Sequence, residues 1–134
     1  MIFSYLWVAL GSALGGMARF WFASFVASLT GPTFPWGTLL INIGGSFFIG
    51  LFANLTGADG RFSVSPEIRT FVMVGICGGF TTFSSFSLQT LELAQSGELI
   101  RASAYVIFSV FLCLLFVWLG YLLATGVNLR STHF

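Results

Sequence analysis

Residues 75–87 read GICGGFTTFSSFS. They lie inside a long apolar run that begins at Ile68 and continues past Leu91. A diglycine, Gly78–Gly79, interrupts the run near its middle, and positions 80–87 then hold five hydroxyl residues and three phenylalanines. In a water-soluble protein this would be an ordinary Gly/Ser/Thr loop. At membrane depth it is costly, because freed backbone groups find no water there. Such a break is tolerated only where protein buries it or where it lines a wet cavity or an ion path. Which of these holds depends on the rest of the chain.

The 134 residues are 57% hydrophobic and 18% aromatic, with only 7% charged, whereas soluble domains carry about 25% charged residues. Mean hydropathy is +0.97. This composition belongs in a bilayer. A net charge of +1 argues against nucleic acid as a partner, and all five basic residues are Arg. Four apolar segments, 2–27, 36–55, 68–93 and 102–123, each meet the ~20 residues a spanning helix needs. The expectation is an all-α membrane protein of one domain, 1–134, with its third helix broken.

The punctuation agrees. Gly31-Pro32 and Pro35 close the first connection, and Gly57-Ala58-Asp59-Gly60 is a polar turn. Ser65-Pro66-Glu67 is a helix start: a capping Ser, Pro in the first turn and an acid at the positive dipole end. Ser96-Gly97 predicts the end of the third helix and Gly126 the end of the fourth. The first segment lacks a basic region ahead of it and is too long for a signal peptide, so it reads as a retained span. His133 reads as a solvated tail residue.

Orientation is nearly unmarked. Arg61, Arg69 and Arg130 fall on the side of the termini, Arg19 and Arg101 on the other. Three against two is no clear positive-inside bias. A chain without one can insert both ways and form an antiparallel dimer; if Arg19 does not count, the bias is ordinary. Small residues mark close helix approach: Gly11 with Gly15, Gly44-Gly45 with Gly50, and Gly75 with Gly79.

Three segments carry polar stripes. Thr38, Asn42 and Ser46 recur at i, i+4, i+8 in the second, and Tyr105, Ser109 and Cys113 do so in the fourth. In the third, at 100° per residue, Thr82, Ser85, Phe86, Gln89 and Phe83 fall on one arc of roughly 160°. Asn42 must donate and accept, either across a helix interface or to a permeating species. Arg19 either snorkels to an interface or faces a vestibule. Each hydroxyl alone can satisfy its own helix; the coincidence of three stripes points to a narrow path.

The sign of the path follows from its donors. No Asp or Glu lies in the middle of a segment, whereas cation paths and proton relays use intramembrane carboxylates. Hydroxyls, amides, a guanidinium and the positive rims of aromatic rings suit a small anion. The carbonyls orphaned at the break sit at a negative dipole end. Two such breaks meeting at a dimer axis suit one hard monovalent cation. No enzyme signature is present: Cys77 and Cys113 lack CxxC spacing, no His lies within a span, and no Walker-type Gly-Lys-Ser/Thr ending follows the glycines.

GICGGFTTFSSFS, together with GTLLIN in the second segment and GGMAR in the first, closely resembles the Fluc (CrcB-type) fluoride channels of bacteria, over all four spans in order. The resemblance implies an antiparallel dual-topology homodimer in the inner membrane, with two pores that passively export fluoride. It implies a structural Na⁺ at the dimer axis, held by the backbone carbonyls of Gly78 and Thr81. Phe83 and Phe86 match the pore phenylalanines, Asn42 the pore Asn, and Thr38 the residue one turn before it. Ser85, Tyr105 and Ser109 resemble polar-track residues, and Arg19 the vestibule Arg. The family commonly has Glu where Gln89 stands, often Ser where Cys113 stands and Leu where Phe80 stands. Gln89, on the polar arc, keeps a donor and an acceptor for the pore. The competing reading is a small dual-topology exporter of cationic drugs; it needs a Glu in the first span, and none is there.

Overall fold

A computed structural model describes residues 2–130, which are helical apart from short connections and contain no strand. His133 lies outside the described residues. Helix α1 is Ile2–Thr30 and α2 is Trp36–Leu55. The third span, Pro66–Gln95, is composite. It opens with α3 (Pro66–Arg69), continues as a π-helical stretch (Thr70–Cys77) and ends its first half with α4 (Gly78–Phe80). Its second half is α5 (Phe83–Gln95). Helix α6 is Leu99–Arg130. Four helices are therefore long and apolar enough to cross a bilayer.

The helix ends have local causes. The Ser65 side chain accepts from the Ile68 amide, with Pro66 in the first turn. Gly31 and Gly97 adopt φ of +74° and +83° after α1 and α5, a conformation glycine enters without a Cβ penalty. Gly126 behaves otherwise: α6 runs through it to Arg130. A mid-helix glycine costs only about 1 kcal/mol, and side-chain bonds to the end of α2 outweigh that. Asn54 Nδ2 donates to Thr125 Oγ1 at 2.7 Å and to the Tyr121 carbonyl at 2.9 Å. Asn128 accepts from the Arg61 amide at 2.9 Å. Arg69 closes the same end, its guanidinium donating to the carbonyls of Thr56 and Ala53 and to Thr56 Oγ1.

Glycine sets the close crossings. An added Cβ at Gly11 would lie 2.5 Å from the Phe71 carbonyl oxygen, and one at Gly79 would lie 2.6 Å from that of Ser12. Gly15 meets Ile76 and Phe80, and Gly75 meets Gly11. The two sequence pairs thus face each other within one chain, where backbones touch. Trp7–Phe71 and Phe22–Phe80 ring contacts, at 5.7 and 6.5 Å between centroids, flank the crossing. Gly50 against Val117 and Gly120 against Phe47 bring α2 and α6 together in the same way. The interior is small, with Tyr105 and Ile41 its largest fully buried side chains, while Phe20, Phe108, Phe111 and Leu114 point outward. An apolar exterior is what a lipid solvent permits.

Candidate functional site

The third span leaves helical geometry at Thr81 and Thr82 (φ −82°, ψ 157° and φ −153°, ψ 110°). Gly78 and Gly79, expected to make the break, are still helical; Gly79 serves the close contact with Ser12 instead. At the end of the first half, Cys77's carbonyl is satisfied twice by Thr81, through its amide (2.9 Å) and its hydroxyl (2.8 Å). The next carbonyls, from Gly78 onward, have no helical amide ahead of them.

Asn42 repairs the other side of the gap. Its Nδ2 donates to the Thr82 carbonyl at 3.0 Å, and its Oδ1 accepts from the Thr82 amide at 2.8 Å. One side-chain amide thereby replaces both ladder partners of an extended residue. Thr82 caps α5: its hydroxyl accepts from the Ser85 amide at 3.2 Å and lies 3.0 Å from Ser85 Oγ. In the sequence Thr82 stands among the arc residues with no separate role. A Thr ahead of an amphipathic stretch with a Ser three residues on was the available signal. Gly45 makes the room, since a Cβ there would collide with the Thr81 methyl.

Around the break lies an open-sided cavity of about 340 Å³. Asn42 and Ser46 from α2, Gly78, Thr81, Thr82, Phe83 and Phe86 from the third span, and Ser109 and Cys113 from α6 all line it. Part of each of the three polar stripes thus reaches one space, while Thr38, Ser85, Gln89 and Tyr105 do not line it. Ser109 Oγ is buried there without a hydrogen-bond partner. Phe83, at its open side, is 76% exposed, whereas Phe86 is only 7% exposed.

A second cavity, of about 680 Å³, lies toward the α1–α2 connection, and Thr38, Gln89 and Glu92 line it. Between the cavities sits Tyr105, with no exposed surface. Its ring lies 5.1 Å from that of Phe86 and 5.4 Å, edge-on, from Phe34. Its hydroxyl donates to Gln89 Oε1 at 2.9 Å. Phe34, in the first connection, had no mark in the sequence beyond being aromatic beside Pro35. Phe83–Phe86–Tyr105–Phe34 forms a continuous aromatic series, Phe83 and Phe86 being 5.2 Å apart. Arg19 is half-buried on α1, eleven residues before Thr30, and lines neither cavity.

The arrangement offers hydroxyl and amide donors and ring edges on either side of a buried tyrosine. Among the described residues, no cluster of three or more His, Cys, Asp or Glu exists. Comparison with known proteins settles the family. The pattern of the family described as CrcB-like protein, Camphor Resistance (CrcB), matches residues 6–121. The chain belongs to the CrcB-like family. It is 62% identical to the Fluoride-specific ion channel FluC of Methylocella silvestris, over 92% of this chain and 95% of that one. The like-named protein of Paramagnetospirillum magneticum is 60% identical over 93% and 98%. That of Rhodospirillum rubrum is 55% identical over 93% and 97%. A CrcB-like chain with four helices of this length and hydropathy is a multi-pass membrane protein.

Proposed function

We propose that this chain is a fluoride-selective channel that passively exports fluoride across the bacterial inner membrane and relieves fluoride toxicity. The observation that carries the reading is 62% identity, across nearly the whole of both chains, to a protein named a fluoride-specific ion channel. Passive permeation needs a path and no reaction, so no side chain is assigned a catalytic role. Two donor-lined cavities separated by Tyr105 support a path along Ser109, Asn42, Phe83 and Phe86 on one side and Gln89 and Thr38 on the other, with Ser85 beside it through its bond to Thr82. The unpartnered Ser109 hydroxyl is a donor that a dehydrated anion would satisfy. Arg19 would draw anions toward the mouth.

The working unit in this reading is an antiparallel, dual-topology homodimer. Phe83, Ser84 and Gly78 are exposed beside the break, and a second copy would cover them. The donor set at the break fits a small hard cation: neutral carbonyl oxygens at a helix C-terminus, without a carboxylate. Gly78 and Thr81 would hold Na⁺ through their carbonyls, and two chains are needed to supply enough oxygens. The ion would supply positive charge that ties the two breaks together. Purified protein in liposomes, read with a fluoride electrode, tests the function. Fluoride should leave on addition of a potassium ionophore, while chloride should stay. Efflux of protons or cationic drug in place of fluoride would refute it.

A further inference from the structure

The first cavity is walled mostly by apolar groups with a few hydroxyls and one amide, and three sulfur-bearing residues also line it. Met73 and Cys77 come from the π-helical stretch and Cys113 from α6. Met73 and Cys77 are four residues apart, so one side of the third span presents both. Cys77 and Cys113 are the two cysteines of the chain, and both are free. Their neighbours in the wall are Ile49, Val110 and Phe86. A cation that keeps its water shell gains little in such surroundings. A cation that forms covalent bonds to sulfur loses little by shedding water there. Thiolate and thioether ligands select soft ions, Cu(I) among them, over hard ones.

We propose that Met73, Cys77 and Cys113 form a soft-metal site that takes one Cu(I) or Ag(I) ion per chain. Binding is an acid–base exchange without oxidation. Each thiol S–H breaks heterolytically, the electron pair stays on sulfur and forms the S–metal bond, and the proton passes to water. Asn42, Thr82 and Ser109 line the same cavity, so a bound ion would stand in the space assigned above to fluoride. Loss of flux rests on that functional reading; retention of metal does not.

The test uses full-length protein purified in a chloride-free buffer, with Ag⁺ added as nitrate, excess removed by desalting and the retained metal counted by native mass spectrometry. One Ag⁺ per chain is expected, released by dithiothreitol. Cys113→Ser and Cys77→Ser should each weaken retention at least about tenfold, since even outer-shell partners of a metal are worth about 10–100-fold. Met73→Leu should weaken it less. Wild-type protein that retains no silver overturns the proposal, as does Cys113→Ser protein that retains silver as tightly as wild type. Cys113 is only half-buried, so that variant stands as the test if Cys77→Ser does not fold. In liposomes, silver should stop fluoride efflux by wild type and spare Cys113→Ser. Silver retained at these sulfurs with efflux unaffected upholds the site and counts instead against the fluoride path.

Discussion

Removing the Asn42 side chain tests how the broken span is held. Asn42→Ala deletes both bonds to Thr82, at 3.0 and 2.8 Å, and strands a backbone amide and a carbonyl at membrane depth. Each stranded group costs about 1–3 kcal/mol. The site borders a cavity that water can enter, which favours the lower half of the range. The sum is about 2–4 kcal/mol, or a shift of about 30- to 900-fold in the unfolding equilibrium. Asn42→Asp keeps an acceptor for the Thr82 amide but sets a carboxylate oxygen against the Thr82 carbonyl. With a charged acceptor facing a carbonyl at membrane depth, it should lose at least as much stability at neutral pH, and it places negative charge on an anion path. Unfolding in increasing SDS, followed by near-ultraviolet circular dichroism, measures the first quantity, and fluoride efflux from liposomes measures the second. Both variants should be destabilised, Asp at least as much as Ala, and both should conduct poorly. An Asn42→Ala protein with wild-type stability and wild-type flux refutes the clamp.

Phe83→Ile should cut fluoride efflux; equal flux would remove Phe83 from the path. Phe86→Ala empties a buried position against Tyr105 and should cost about 3–5 kcal/mol in SDS unfolding. Tyr105→Phe deletes the bond to Gln89, costs about 1 kcal/mol and should change the fluoride efflux rate; an unchanged rate would take Tyr105 out of permeation. Replacing Na⁺ by N-methylglucamine through purification and reconstitution should abolish efflux, and full activity without Na⁺ would remove the structural-cation proposal.

The four spans and the broken third helix were legible because hydropathy and length act locally. The place of the break was not. The glycines drew attention to Gly78–Gly79, yet the chain turns at Thr81–Thr82 because Asn42, forty residues away, offers Thr82 a substitute for its helix ladder. Gly75 and Gly79 mark a close approach in the sequence without saying to what; Gly11 and Gly15 on α1 answer only once the chain is folded. Gly126 failed as a stop for a similar reason, since Asn54 on α2 bonds Thr125 and Asn128 and so holds the last turns of α6 from another helix. The stripes were legible singly, through their i, i+4, i+8 spacing. That Tyr105 and Gln89 on two of them would bond each other is a matter of helix rotation, which spacing leaves open.

The π-helical stretch carries a consequence for chain length. Residues 70–77 bond i to i+5, one residue more per loop than an α-helix would use. Were the same eight residues wound as an ordinary α-helix, the surplus residue would no longer be absorbed and would turn everything before it by about 100°. Arg69 would swing off the last carbonyls of α2, leaving Thr56 uncapped and the polar turn that follows it untethered. The surplus residue is therefore a spacer of angle, by which the near end of the third span and its middle satisfy two different neighbours at once.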